Sequence, residues 1–340
     1  MIQHIIKPFK WLMIIGFIGH VYGEQVKQVA TPVVNAAKAV VSLQVTQVNN
    51  DQIFNPFSDD PTFGFFFGRS MAGPRVVMGS GSGVIVDKNG LIVTCAHVIN
   101  HAEKITVIMD TGREFDAKKL YENTEHDIAF IQIQDAENQE FPFVQMGDAH
   151  TLTITEPVYA IGNAFNMGQS VTSGIISATN RIVDDQFSLQ TDAAVNPGNS
   201  GGGLFDGSGN YIGLPNAILT RTGANHGVGF AKPVNLIKSY MHRLQHKTLE
   251  TPPWLGVNGQ DFTYHLAKAL PQFKASEYKG GVLITSIHSE SPLAGKMQPK
   301  DIILSINDYP IYNMVMLRYM IDTCILGEDI KISLWRDGKI

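Results

Sequence analysis

The chain has 340 residues, more than one ordinary core needs, and two globular units are expected. Its net charge of -5 comes from 31 acidic and 26 basic residues with no long run of either sign, so the electrostatic footprint of a nucleic-acid binder is absent. With 44% hydrophobic and 17% charged residues, and 32 glycines in no collagen-like period, the composition is that of a soluble, turn-rich β protein.

The N-terminus carries Lys7 and Lys10, then an apolar stretch from Trp11 to Gly19, then Val21-Tyr22-Gly23. That order reads as a secretory signal peptide over residues 1–23, with the mature chain starting near Glu24. The stretch falls short of the roughly 20 residues of a spanning helix; counting Val21 and Tyr22 keeps an uncleaved membrane anchor as the alternative. No Arg precedes Arg69, which argues against a mitochondrial transit peptide and for export across a bacterial inner membrane.

From Val40 to Ala231, short β-branched runs alternate with turn residues, the pattern of an all-β barrel or sandwich. Asn89-Gly90 is expected to supply the positive φ angles of a tight hairpin, and Asp206 to Asn210 a similar turn. Residues 49–78 break the pattern with Pro56, Pro61, Pro74 and six phenylalanines, and a loop this long is expected to be a lid, an oligomer contact or an insert folded on its own domain. After Pro233, Leu236, Ile237, Tyr240, Met241 and Leu244 share one helical face. Residues 246–253, polar and ending in two prolines, read as the linker between a domain over 24–245 and one over 254–340. The second unit is expected to have strands near Gly281–Ile287 and Ile302–Ile306 and a helix around Met314–Ile325. No internal repeat is evident. The two cysteines, Cys95 and Cys324, fall in different units, so no disulfide is expected, and both read as buried thiols. Residues two apart on a strand are poorly placed for a Cys/His nucleophilic pair, which disfavours Cys95 with His97.

The strongest chemical signal is Asn196-Pro197-Gly198-Asn199-Ser200-Gly201-Gly202, a serine among glycines able to adopt conformations closed to other residues. Hydrolysing an amide needs donors aimed at a developing oxyanion, and the backbone N–H groups around Gly198, Asn199 and Ser200 are the candidates. A serine hydroxyl also needs a base and an orienting carboxylate. His97 follows an apolar strand in Thr94-Cys95-Ala96-His97-Val98, and Asp127 heads the apolar run Ile128-Ala129-Phe130-Ile131. Each alone has an ordinary structural explanation; their joint order and spacing does not.

In these residues the sequence resembles the trypsin-like HtrA/Deg family of secreted stress proteases, along nearly the whole chain after the leader. The resemblance is carried by Gly79-Ser80-Gly81-Ser82-Gly83-Val84-Ile85 before the histidine, Thr191-Asp192-Ala193-Ala194-Val195-Asn196 before the serine, Gly162-Asn163-Ala164-Phe165, Val171-Thr172-Ser173-Gly174-Ile175 and Gly227-Val228-Gly229-Phe230-Ala231. It implies a mainly β protein, two six-stranded barrels with His97, Asp127 and Ser200 as a catalytic triad in the cleft between them, and assembly as a homotrimer or larger cage. Asn216-Ala217-Ile218-Leu219-Thr220 matches the border of the primary specificity pocket. Apolar lining there, with Ala194 supplying no charge, favours small or medium aliphatic side chains before the cut; Ile218 and Leu219 as plain core residues is the equal alternative. This chain departs from the family in having Cys95 for Asn, Gly203 for Pro and Lys232 for an apolar residue.

The second unit resembles a PDZ module, with Trp254-Leu255-Gly256-Val257 matching the loop that binds a C-terminal carboxylate while the peptide adds as a strand. The run Asp337-Gly338-Lys339-Ile340 gives a hairpin turn where the family pattern continues into one more strand, so the module reads as shortened. The resulting expectation is a periplasmic, ATP-independent serine endopeptidase for unfolded or damaged polypeptides, without cofactor or metal. The alternatives are a membrane-anchored regulatory protease switched by a PDZ ligand, and a holdase with weak proteolysis.

Overall fold

The computed structural model describes residues 31–49, 75–135, 139–163, 168–196, 198–218 and 227–340. The leader and nearly all of the long loop lie outside these residues, as do Leu219 and Thr220. Among the described residues no helix is long and apolar enough to cross a membrane.

The first six strands are β1 (Val40–Asn49), β2 (Arg75–Ile85), β3 (Leu91–Thr94), β4 (Lys104–Ile108), β5 (Glu114–Asn123) and β6 (Ile128–Ile133). They close into a barrel in the order 1-2-3-6-5-4, sealed where β1 pairs with β4. Period-two alternation is visible in β1, where Val41, Leu43 and Val45 are buried and Ser42 and Gln44 are less so. The next six are β7 (Pro157–Gly162), β8 (Ser170–Val183), β9 (Gln186–Thr191), β10 (Gly203–Asp206), β11 (Tyr211–Ile218) and β12 (Gly229–Pro233). They close in the order 7-8-9-12-11-10, the same connectivity as the first barrel. The topology therefore repeats although the sequence shows no repeat, because pairing order constrains only alternation and turns. Closure leaves neither barrel an unpaired edge.

The β2–β3 hairpin differs from the expected turn in that Gly90 has a positive φ (84°) and Asn89 does not. The Asp87 carboxylate accepts from the N–H groups of Asn89 and Leu91, both at 2.9 Å, and does the ordering. Asp206 does the same for Ser208 (2.9 Å) and Asn210 (2.8 Å) between β10 and β11.

The helix Val234–Gln245 leaves the second barrel, and it buries Ser239 and Arg243 as well as Leu236, Ile237 and Tyr240. These two polar residues are buried because the C-terminal unit and the connecting segment pack on them. Ser239 Oγ lies 3.5 Å from the Cys324 carbonyl, and Arg243 donates to the Leu249 carbonyl at 2.7 Å.

The C-terminal sheet runs β13 (Val257–Asp261), β14 (Val282–Ile287), β15 (Ile302–Ile306), β16 (Tyr309–Pro310), with β17 (Ile332–Trp335) also on β15. Helix Met314–Asp322 is capped by the Asn313 side chain, which accepts from Met316 N–H at 2.9 Å. Asp301, fully buried, is held by the Arg336 guanidinium through two hydrogen bonds of 2.7 Å, which ties β17 to the turn before β15. Arg336 and Lys339 bridge across the turn at Asp337 and Gly338.

The helix Met314–Asp322 also joins the two units. Tyr319 is buried and stacks on Phe187 of β9 at 4.1 Å, and its hydroxyl is 3.3 Å from His150 Nε2. His150 in turn lies against the Tyr309 ring at 4.4 Å. Truncation of Tyr319 to alanine is expected to weaken this docking by about 3 kcal/mol. Limited proteolysis of the 246–253 segment checks this, the variant being cut faster than the parent.

Candidate active site

His97 lies in the short helix Ala96–Ile99 that follows β3, and Asp127 immediately precedes β6. Because β3 pairs with β6, Thr94 opposite Ala129, the two residues meet although 30 positions separate them. His97 Nδ1 lies 2.8 Å from Asp127 Oδ2 and 3.0 Å from Oδ1, and the His97 backbone N–H donates to Oδ1 at 3.0 Å. A carboxylate only accepts, so it selects the tautomer protonated at Nδ1 and leaves Nε2 as the basic nitrogen. Asp127 is held at φ 55°, a left-handed conformation that costs energy in a non-glycine residue. Burial alone would raise its carboxyl pKa. The charge and hydrogen bonds of His97, with Lys232 behind, outweigh that and leave it below the usual range.

Two of the residues that depart from the family pattern sit against this pair. Lys232, on β12, is buried, and burial lowers its ammonium pKa against the opposing pull of Asp127. Cys95 is fully buried, its thiol donating to the Pro215 carbonyl at 3.4 Å; burial first, then the charge of Asp127, raises its pKa. Cys95 precedes the helix of His97 and lies off the strand, so the strand-geometry argument against a Cys/His pair does not apply to the folded chain. Both cysteines are free.

Ser200 lies between β9 and β10, in the second barrel. Its loop is tied to the first barrel through Ser82 of β2. The Ser82 N–H donates to the Ser200 carbonyl (3.0 Å), and the Ser82 hydroxyl donates to the Gly198 carbonyl (2.6 Å) and accepts from Asn163 N–H (2.8 Å). The Ser82 carbonyl accepts from Thr94 Oγ1 at 2.7 Å. Gly201, at φ 83°, donates to the Pro215 carbonyl at 3.2 Å, and a Cβ there would run into the Ser82 carbonyl and the Thr94 hydroxyl. In the sequence Ser82 stands only as one member of the glycine-rich run Gly79–Ile85, with no role attached. A hydroxyl set among glycines in an apolar strand was the signal to follow.

Among the described residues, the N–H groups of Gly198 and Ser200 donate to no other protein group. Asn199 differs, since its N–H donates to the Asn196 carbonyl at 2.9 Å within the turn. It therefore leaves the set of candidate oxyanion donors. Its buried Oδ1 has no hydrogen-bond partner. Of the expected pocket border, Asn216 is half-buried with Oδ1 unpartnered, Ala217 and Ile218 continue β11 opposite Phe230 and Gly229, and Leu219 and Thr220 lie outside the described residues. Ala194 is half-buried, its carbonyl accepting from Thr172 Oγ1 at 2.8 Å.

In the C-terminal unit Trp254 is exposed and Leu255 is buried, with its carbonyl accepting from Ser291 Oγ at 2.5 Å. Gly256 takes φ 67°, and a Cβ there would meet Ser291 Cβ and the Trp254 ring at 2.8 Å. β13, starting at Val257, pairs with β14 alone among the described strands. Its other edge faces the helix Met314–Asp322, whose first N–H donates to the Asp261 carboxylate at 2.7 Å. A separate cavity of about 500 Å³ lies between the units, lined by His150, Lys238, Tyr309 and Asp329 among others, away from the His97–Asp127 pair.

Replacing Ser82 by alanine removes the buried hydroxyl that donates to the Gly198 carbonyl and accepts from the Asn163 N–H, a cost of about 1–3 kcal/mol. The expected result is labelling of Ser200 by a fluorophosphonate probe slowed roughly 10- to 100-fold, with the overall fold retained by circular dichroism.

The family model of the trypsin-like peptidase domain matches residues 81–214, which include His97, Asp127 and Ser200. The chain is 37% identical over 267 residues to the periplasmic serine endoprotease DegP of Escherichia coli K12, covering 77% of this chain and 55% of that protein. It is 34% identical over 317 residues to the probable periplasmic serine protease do/HhoA-like of Haemophilus influenzae, covering 88% of this chain and 67% of that protein. This chain thus spans about half the length of DegP. Among solved structures, the HtrA-type protease AlgW with a decapeptide superposes with a TM-score of 0.63 at 34% identity, covering 91% of this chain and 95% of that one. These likenesses, with two like barrels meeting at a His97–Asp127 pair and a serine loop, show that the chain belongs to the HtrA family of trypsin-like serine proteases.

Proposed function

We propose that this chain is a periplasmic, ATP-independent serine endopeptidase for unfolded or damaged polypeptides. The observation that carries the proposal is the Asp127–His97 pair, whose geometry leaves Nε2 as the basic nitrogen, with Gly201, next to Ser200, packed close to Thr94 and Cys95 just before His97. In the proposed mechanism Ser200 Oγ attacks the scissile carbonyl carbon as Nε2 takes its proton. The N–H groups of Gly198 and Ser200 receive the oxyanion, Nε2 returns the proton to the leaving amine, and water repeats the sequence to release the acyl chain. The stretch from Asn216 to Thr220 borders the pocket for a small or medium aliphatic side chain before the cut. The printed names of the relatives, periplasmic serine endoproteases, support compartment and reaction. Assembly as a homotrimer or larger is part of the proposal.

We also infer that residues 254–340 are a PDZ module for peptide C-termini, with Trp254-Leu255-Gly256-Val257 as the carboxylate loop. The free edge of β13 beside the helix supports strand addition, as does the likeness to a protease solved with a decapeptide. Casein cleavage tests the nucleophile: Ser200→Ala is expected to lose at least about 10⁴-fold in rate, and equal rates in both proteins would falsify the assignment.

A second reading, a protease regulated through the peptide groove, is favoured by one contact. Asp322, at the end of the groove helix, lies 3.6 Å from Nε2 of His126, the residue beside Asp127; His126 Nδ1 is 2.7 Å from the Tyr240 hydroxyl. Burial raises Asp322 to about 6 and lowers His126 to about 4, so burial disfavours the charged form of both groups at this contact. Relative to an unfolded carboxyl near 3.8, Asp322 favours the docked fold fully below that value and loses its contribution as pH rises through about 6. Relative to an unfolded imidazole near 6.5, His126 favours the docked fold above that value and loses its contribution as pH falls towards about 4. The two oppose each other across one window. Asp322→Asn leaves the histidine acting alone, and docking of the variant is expected to weaken steadily as pH falls from 6.5 to 4, read as rising cleavage of the 246–253 segment by an added acid-tolerant protease, corrected for that protease's own pH profile.

A further inference from the structure

We propose that Cys95, His97 and Asp127 form an inhibitory site for a single thiophilic divalent cation such as Zn²⁺ or Cd²⁺. This rests on the reading of His97 and Asp127 as triad members. Cys95 Sγ, a ring nitrogen of His97 and a carboxylate oxygen of Asp127 lie within 4.8 Å of one another. One thiol, one imidazole and one carboxylate make the donor set that borderline-soft cations select. In a tetrahedral site with bonds of about 2.0–2.3 Å, donors stand roughly 3.5 Å apart. The thiol must therefore close on the ion, and the 2.8 Å His97–Asp127 hydrogen bond must open by well under 1 Å. Small side-chain rotations supply both. Water takes the fourth position, as in zinc sites with three protein ligands.

The chemistry makes such an ion an inhibitor. On binding, the Cys95 thiol releases its proton to solvent as the S–metal bond forms. The ion takes the Nδ1 lone pair, so the imidazole proton moves to Nε2, and Nε2 no longer has a lone pair to accept the proton of Ser200. Asp127 is engaged by the same ion and ceases to orient the ring. The site exists because position 95 carries sulfur and the cysteine is packed against the triad acid; with His97 and Asp127 alone, two ligands remain.

The test is a Cd²⁺ titration of purified full-length protein, comparing the parent with Cys95→Ala and Cys95→Ser. Casein cleavage gives one readout. Bound Cd²⁺ by equilibrium dialysis and the cadmium–thiolate charge-transfer absorption, both recorded on Ser200→Ala and on Ser200→Ala/Cys95→Ala, give a second that needs no activity. The parent is expected to bind one ion with a thiolate band, to lose activity in step with binding and to recover with a chelator. The cysteine variants are expected to need at least about 10-fold more Cd²⁺ for half-inhibition, and the alanine double variant to lack the band. Equal inhibition in the parent and both variants, or absence of the band from Ser200→Ala, overturns the proposal. If the parent binds one ion through Cys95 but cleaves nothing, the site stands and the proteolytic reading falls; if it cleaves and ignores Cd²⁺, the reverse holds.

Discussion

The buried hydroxyl of Ser82 connects the two barrels at the point where both contribute to the cleft. It lies on β2 of the first barrel, yet its hydrogen bonds end on Gly198 and Asn163 of the second, and its backbone N–H holds the Ser200 carbonyl. Each closed barrel satisfies its own backbone, so contacts between the barrels, the Cys95 thiol on the Pro215 carbonyl among them, must give the reason for one relative position. A short network of buried, fully paired polar groups supplies that reason. Such groups are costly when mispaired and therefore specify one arrangement.

The His97–Asp127 pair depends on this arrangement and on the first barrel's own register. The adjacency of β3 and β6 brings the pair together, and the strained backbone at Asp127 aims the carboxylate at Nδ1. Around it Lys232 of the second barrel and Cys95 and His126 of the first are all buried. A carboxylate kept ionised in so apolar a place needs the compensation of a paired imidazole and a nearby ammonium, and both are present. The same crowding gives Cys95 neighbours with which it can share a cation.

The C-terminal unit is attached by apolar stacking more than by charge. Tyr319 on Phe187 and His150 against Tyr309 fill the seam, and burial disfavours charge on both Asp322 and His126 where they meet. A seam of this kind is weakly sensitive to salt and sensitive to shape. The helix that contacts β13 is also the helix that docks, and its Asp322 meets His126, one residue from Asp127.

Much was legible in the sequence. The alternating runs and turn residues of Val40–Ala231 specified a β protein because burial on one face imposes a period of two. The glycine-set serine, the histidine after an apolar strand and the aspartate before another were recognisable as chemistry because few other contexts need those residues together. The helix after Pro233 and its apolar face were legible too, but the burial of Ser239 and Arg243 was not, since a propensity-and-period argument has no knowledge of a second unit packing there. Only the tertiary structure decided that Ser82 joins the barrels, that the Asn199 N–H turns inward to Asn196, that Cys95 leaves its strand to lie against Asp127, and that His126 meets Asp322. Each of these is a contact between residues far apart in the chain or a local turn set by such contacts. Sequence periodicity reports which face a side chain takes, whereas its partners are chosen by how closed surfaces fit together.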